Sequence, residues 1–441
     1  MNYAKELFQG NKNIAIIGLG YLGYSNLVQY LKSGISCTVT DFNHERLEKF
    51  MKEDYPPKDR FLFWKSMAEI KKSSSTLLQI VDSHEIINQA NAVYFFCTPL
   101  EYNLSPSSAH LQQIINVLKK FKEVDFNYKP VIVVESFLKP FSINSIIIPE
   151  LIKAGIDIEK DILLVYAPRR DWYLEEFIYH TPTRLVASTQ TGMKDELVEL
   201  FQLVDKTIFY SENTDSVEIA ESLVNSFSFL GNSLINQLMF AFPEQNFREI
   251  VKLAGLTDHG ISSSIFCGSK LPISGQFLLD AAPRPSYLSL LSDSISSSYS
   301  IQQHIVELIH RKGIKNVAIL GLLPYENTPE YCDSPALLLP KLLVESGVSI
   351  KVHDPFFSRE DIKKTIQCDY LEFPDDMDDR EAVLLLTPHD RYKALTKKEL
   401  CRHLGNCKLI LDNTGVWEKF SLGQDGSLDY KVFGDPHSVF E

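Results

Sequence analysis

The sequence predicts an α/β protein in which two parallel-sheet domains are joined by a long central helical region. Apolar β-type runs alternate with helical stretches from Asn13 onward. Strand signals vanish between about Asp215 and Ala254, and a second alternating series opens at Val317. Alternation of this kind implies a parallel sheet covered by helices on both faces. At 441 residues the chain exceeds one ordinary hydrophobic core and suits two or three domains, set here at 1–212, 213–312 and 313–441.

Taken in order, Asn13–Gly18 is an apolar run that breaks into glycines, the chain then reads as helix to Lys32, and a second strand, Cys37–Thr40, ends at Asp41. Further strands are expected at Ala92–Cys97, Val131–Val134, Ile162–Tyr166 and Arg184–Ala187. In the central region Leu223, Phe227, Leu230, Leu234 and Leu238 recur at three- and four-residue spacing, which fits one long helix or two in succession. Beyond the Gly/Ser-containing stretch Gly260–Gly275 and a turn near Pro283, a helix is expected from Leu290 to Arg311. The second series places strands at Val317–Gly321, Val348–His353, Ala382–Thr387 and Lys408–Asp412.

Composition excludes several classes. An apolar fraction of 44% with 23% charged residues belongs to a folded globular chain. A net charge of -13 gives no broad attraction to phosphate backbones or anionic lipid, and there is no basic stripe or aromatic platform for nucleic acid. Neither a basic-then-apolar leader nor an apolar run of about 18 residues occurs, so a cytoplasmic protein without a membrane span is expected. The seven cysteines are scattered and lack any C-x-x-C pair, so reduced thiols and no metal site are expected.

Gly18-Leu19-Gly20-Tyr21-Leu22-Gly23 is a G-x-G-x-x-G between a strand and a helix. Its glycines permit a tight turn and close approach of the backbone to a pyrophosphate, and the helix N-terminus supplies amide donors. Asp41 closes the second strand about twenty residues on, where a carboxylate accepts ribose hydroxyls and repels the 2′-phosphate of NADP. The pattern predicts a Rossmann-like domain binding NAD. A glycine turn that merely packs helix on strand would leave Asp41 without a reason.

Further motifs resemble the UDP-glucose/GDP-mannose dehydrogenase family, over nearly the whole chain. Gly18–Tyr24 is similar to its G-x-G-Y-x-G-L segment, and Asp41 with Arg46 to its D-x-x-x-x-K/R. Leu320-Gly321-Leu322, Asn327-Thr328 and Ser334-Pro335 resemble its L-G-x-x-F-K-x-x-T-x-D-x-R-x-S-P block, and His353-Asp354-Pro355, Thr387-Pro388-His389 and Asp412 continue in its order. The resemblance implies an N-terminal NAD domain, to which Thr98 and Ser136 would also contribute, a central helix forming a homodimer, and a C-terminal domain, also Rossmann-like, that binds nucleotide sugar. In that family a hydroxymethyl group is oxidised twice, through an aldehyde and a cysteine thioester, to a carboxylate. Each hydride step needs a base or an oriented water, and the second oxidation needs a thiolate.

Several catalytic positions differ. Asn225 falls on the family's active-site asparagine and Glu218 on the glutamate of its A-E pair, but the lysine four residues before the asparagine is Glu221, an anion where a cation would stabilise an oxyanion. The nucleophile's motif G-G-x-C-x-x-x-D finds its nearest equivalent in Ile273–Asp280. Gln276, or Phe277 under a shifted gap, stands in the cysteine's place, and Asp280 matches the aspartate. Cys267 is either a displaced nucleophile or an inert core thiol. Arg169 replaces a glutamate; with Arg170 it either receives an anionic group of substrate or forms a solvated pair. Arg184 matches the family's P-x-R-V, and with Gln276 is a further candidate for substrate contact. Phe137, Cys332 and Thr414 replace a cofactor-contacting threonine and two arginines. Glu221 and Asp280 are read either as a carboxylate pair for acid/base work or as helix-surface charge, and His389 as a hydrogen-bonded structural histidine.

Two functions follow. In the first, NAD takes one hydride from an alcohol of a sugar or nucleotide sugar; Asn225 and Asp280 orient substrate or water, Glu221 is the base, and no thioester forms unless Cys267 substitutes. In the second, the chain keeps the NAD fold and dimer without catalysis, as a regulator or partner of an active relative. The intact glycine loop and Asp41 favour the enzyme.

Overall fold

A computed structural model describes residues 2–52, 76–83, 85–97, 108–169, 183–257, 261–265, 271–322, 326–327, 337–424 and 426–438. Thr98, Arg170, Cys267 and Cys332 lie outside the described residues. The chain divides into two compact units, Met1–Ser222 and Leu223–Glu441, the division falling inside the 28-residue helix Thr214–Ala241.

The first unit is built on eight strands: β1 (Asn13–Ile17), β2 (Cys37–Thr40), β3 (Leu78–Ile80), β4 (Asn91–Phe96), β5 (Val131–Val134), β6 (Leu163–Tyr166), β7 (Arg184–Ser188) and β8 (Ile208–Ser211). Their order is β3-β2-β1-β4-β5-β6-β7-β8. The first six are parallel in the doubly wound arrangement; β7 pairs antiparallel to β6, and β8 parallel to β7. The central strands are wholly apolar because both faces are covered. Ile14, Ile16, Val93, Phe95, Val131 and Val133 face one core, while Ala15, Ile17, Tyr94, Phe96, Ile132 and Val134 face the other.

The second unit repeats the plan with β9 (Asn316–Leu320), β10 (Ser349–His353), β11 (Asp369–Tyr370), β12 (Ala382–Leu385), β13 (Leu409–Asp412) and β14 (Asp429–Val432), all parallel in the order β11-β10-β9-β12-β13-β14. Val317, Ile319, Leu384 and Leu411 pack on one face and Ala318, Leu320, Val383 and Ile410 on the other. The central helical stretch resolves into two helices in succession, Thr214–Ala241 and Phe247–Leu253, and is followed by Leu271–Ala281 and Ser289–Arg311. Among the described residues no helix is long and apolar enough to cross a membrane.

Candidate NAD site and nucleotide-sugar domain

The crevice of a doubly wound sheet lies outside the carboxyl ends of its strands, where the strand order reverses. In the first unit that point is β1/β4, and the glycine loop is there. Gly18 sits at φ 101, in the left-handed region that favours glycine, and its N–H donates to Thr40 O at 2.9 Å, tying the turn to the end of β2. A Cβ on Gly23 would come within 1.8 Å of Gly18 O, so this glycine lets the helix Tyr21–Lys32 lie against the turn. A Cβ on Gly20 would meet nothing within 4 Å, which leaves open space at the helix N-terminus. Gly20 is the N-cap of that helix and, being glycine, has no side chain to bond the first-turn N–H groups.

Asp41 completes the cradle. Its Oδ2 accepts from Leu19 N at 2.6 Å and its Oδ1 from Asn43 N at 2.7 Å, while Arg46 Nη1 lies 3.2 Å from Oδ2. Each carboxylate oxygen has two lone pairs, so capacity remains for ribose hydroxyls. Glycines that admit a backbone-hugging ligand, helix amides at a glycine N-cap and a fixed carboxylate fit NAD. Leu22 is partly buried against the core and Ser136 is buried just beyond β5.

Beneath the crevice lies a polar network that the sequence reading did not foresee. Arg169, just past β6, donates from Nη2 to Ser25 Oγ at 2.9 Å and from Nη1 to Asn26 Oδ1, both on the helix of the glycine loop. Asn26 Nδ2 donates to Glu135 Oε2 at 2.5 Å, the Cys97 thiol donates to the same oxygen at 3.0 Å, and Arg184 pairs with Glu135 Oε1. Every member is buried, and the Arg184 guanidinium lies 5.3 Å from the Phe201 ring centroid. Of the three arginines expected to reach substrate, Arg169 and Arg184 are thus turned into the domain. Burial first, then the Glu135 carboxylate, pushes the Cys97 thiol well above its ordinary range, so it is no thiolate nucleophile.

On the long helix Glu218, Glu221 and Asn225 are all buried. Glu218 accepts from Phe141 N at 2.8 Å and Ile143 N at 3.0 Å, and burial pushes its carboxyl up to about 8 against those hydrogen bonds. Farther along, Asn232 Oδ1 accepts from Ser262 N, and Asn236 holds Ser264 through N–H and carbonyl. In the helix Leu271–Ala281 Gln276 donates to Asp280 Oδ1 at 2.6 Å, and Asp280 is exposed.

In the second unit Gly321, at φ 82, donates its N–H to His353 O at 2.8 Å; a Cβ there would come within 2.6 Å of Thr387. Asp354 accepts from Leu322 N at 2.8 Å and Phe356 N at 2.9 Å, and His389 Nε2 lies 3.3 Å from its Oδ2. Burial opposes the charge of Asp354, but these donors outweigh it and hold the carboxyl below its usual value. His353 Nδ1 lies 2.9 Å from Tyr392 O–H, which donates to His353 O. Asp412 accepts from Gly415 N, Trp417 N and Tyr430 O–H, bracing the end of β13. No cluster of three or more His, Cys, Asp or Glu side chains suited to a metal occurs among the described residues.

Comparison with known proteins agrees with this division. Residues 12–201 match the NAD binding domain of the UDP-glucose/GDP-mannose dehydrogenase family, and residues 318–419 its UDP binding domain. Protein CapL of Staphylococcus aureus is 21% identical over 425 residues, covering 92% of this chain and 96% of that protein. A UDP-N-acetyl-D-mannosamine dehydrogenase of Pyrococcus horikoshii is 20% identical over 437 residues, covering 93% and 97%. Among solved structures, the UDP-D-ManNAc dehydrogenase of Pyrococcus horikoshii superposes with a TM-score of 0.75 at 17% identity, over 96% of this chain and 100% of that one. A UDP-glucose dehydrogenase of Pyrobaculum islandicum gives 0.72 at 18%, over 92% and 95%. At these identities the structural likeness speaks for the fold.

Proposed function

Because the chain belongs to the UDP-glucose/GDP-mannose dehydrogenase family, whose NAD and UDP binding domains it carries in order, we propose that it is a cytoplasmic NAD-dependent oxidoreductase removing one hydride from an alcohol of a nucleotide sugar. The observation that carries this is the pairing of a complete NAD cradle at Gly18, Gly20, Gly23 and Asp41 with Gln276 and Glu221 where the family has its cysteine and lysine. NAD supplies the hydride acceptor. The chain supplies the rest: an alcohol losing hydride must also lose its O–H proton, and Glu221 is the group we assign to take it. Asn225 is one helical turn away on the same helix face, buried like Glu221, and suited to hold the alcohol or a water by its amide. Gln276 and Asp280 are assigned to substrate orientation. With no thiolate at the cysteine position no thioester forms, and the product is a carbonyl.

The dimer belongs to the same proposal. Leu223, Phe227 and Leu234 fall at helical spacing on the long helix with relative exposures of 52%, 71% and 56%, an apolar face that a second copy of the chain would cover.

The test is NADH formation by purified protein given NAD and a panel of nucleotide sugars and free sugars, with products identified by mass spectrometry. One NADH per substrate and a carbonyl product support the proposal. Two NADH and a carboxylate would show that another thiol serves. NAD binding without turnover on any substrate would instead favour the non-catalytic partner.

A further inference from the structure

We propose that His389 is a positioning residue for the nucleotide, acting in its neutral form as the acceptor that fastens the Glu326–Asn327 turn to the carboxyl edge of the second sheet; the inference rests on the nucleotide-sugar reading above. His389 sits just past β12, the strand beside β9 at the point where the order of the second sheet reverses. Nucleotides bind at such a point in doubly wound sheets.

Among the described residues three contacts hold the turn, all to one short segment. The Asn327 main-chain N–H donates to His389 Nδ1 at 2.9 Å, Asp390 N–H donates to Asn327 Oδ1 at 3.0 Å, and Lys393 pairs with Glu326. The first contact fixes the chemistry of the ring. A main-chain N–H only donates, so Nδ1 must offer its lone pair, and in a neutral imidazole the proton is then on Nε2. Nε2 faces Asp354 Oδ2 at 3.3 Å, an acceptor already placed by Leu322 N and Phe356 N. The buried carboxylate therefore selects the tautomer that holds the turn, as a carboxylate does for a metal-binding histidine.

Protonation keeps one half of this arrangement and loses the other. An imidazolium still donates from Nε2 to Asp354, but its new Nδ1–H points at the Asn327 N–H, and two donors cannot bond. The surroundings do not hide the event. His353 is adjacent and held neutral, since burial lowers it to about 4; the Tyr392 ring is 5.7 Å away and the Phe356 ring 5.4 Å. Among the described residues the remaining charges on the packed elements are Asp390, Arg391, Lys393 and Glu326. The neutral ring thus fastens the turn, and its protonation would release it. Nucleotide affinity is expected to fall with it.

The experiment is calorimetric titration of the full chain with UDP across a pH series. The diphosphate itself ionises near about pH 6, so the readout is the ratio of each variant to wild type. His389→Asn leaves an acceptor close to the Nδ1 position that does not titrate. His389→Leu leaves none. Wild-type affinity is expected to fall about tenfold more than that of His389→Asn between about pH 8 and about pH 5.5. His389→Leu should bind UDP about tenfold more weakly than wild type at pH 8, with no further loss on acidification beyond that of His389→Asn. Asn327→Gly, which keeps the main-chain N–H and the positive φ, should retain the wild-type pH slope at lower affinity, and it remains informative if His389→Leu fails to fold. Parallel pH curves for wild type and His389→Asn, or a flat Asn327→Gly, overturn the proposal. UDP that binds wild type at no pH removes the nucleotide-sugar reading itself.

Discussion

At the carboxyl edge of the first sheet Asp41 accepts from Leu19 N at 2.6 Å and Asn43 N at 2.7 Å; at the same place in the second sheet Asp354 accepts from Leu322 N at 2.8 Å and Phe356 N at 2.9 Å. In both, a positive-φ glycine ends the first strand of the unit and donates its N–H to the last carbonyl of the second, Gly18 to Thr40 and Gly321 to His353. The backbone device is the same, and what differs is the third partner of the carboxylate. Asp41 has Arg46, whose side chain is 38% exposed, and the glycine loop beside it leaves open space at Gly20. Asp354 has His389, with no exposure at all, and its glycine is pressed against Thr387. The comparison shows how one strand-end geometry leaves room for a ligand when its surroundings are open and forms an internal brace when they are closed.

The largest expected effect comes from closing the cradle. Gly23→Val puts side-chain carbon into the Gly18 carbonyl and should abolish NAD binding while costing more than about 3 kcal/mol of stability, read by thermal unfolding and by NAD titration. Wild-type NAD affinity in that variant would mean the helix can back away, and the first device would not be built around close approach. Next in size is Asp354→Ala, which strands the Leu322 and Phe356 N–H groups and the His389 Nε2 proton inside the fold. It should cost about 3 kcal/mol, against about 1 kcal/mol for Asp41→Ala, whose partners Asn43 and Arg46 are closer to solvent; urea unfolding of the two variants measures the difference. Equal losses would break the contrast between cradle and brace.

Most of this was legible in the sequence where apolarity carried it. The central strands of both sheets are largely apolar because helices cover both faces, and the glycine spacing with Asp41 marks a strand-end turn whose geometry fits NAD. The strands that escaped are edge strands of mixed character, Leu78–Ile80, Ile208–Ser211, Asp369–Tyr370 and Asp429–Val432, too short or too polar to stand out. The reversal of β7 escaped because an apolar run has no direction. Sequence pattern gives Arg169 an anionic group of substrate or a solvated pair with Arg170, and Arg184 a substrate contact by its match to P-x-R-V, and neither reading includes a buried partner. Their partners, Asn26 and Glu135, lie 143 and 49 residues away in the chain, beyond the reach of local pattern.

A third expectation uses pH on the brace. Burial lowers His353 from 6.5 to about 4, so between those values the unfolded chain takes up a proton that the folded chain refuses. The contribution is complete above about pH 6.5 and is lost as pH falls toward about 4, a decline of at most about 3 kcal/mol at this site. His353→Asn should flatten that part of the stability profile in urea unfolding. An unchanged slope would place the acid sensitivity of the second unit elsewhere.

The smallest effect on stability is the sharpest test of the cradle. Gly20 has an ordinary negative φ of -68, and a Cβ there meets no atom of the protein within 4 Å, so Gly20→Ala should fold as the parent does, within about 0.5 kcal/mol. The same methyl stands where the dinucleotide backbone must come close to the helix amides, and NAD affinity should drop about tenfold or more. Gly321→Ala supplies the opposite case, since its Cβ meets Thr387 and the loss should appear in stability while NAD binding is retained. A Gly20→Ala protein that binds NAD like the parent would mean that the space at the helix N-terminus serves some other purpose, and the two strand-end devices would then both be braces.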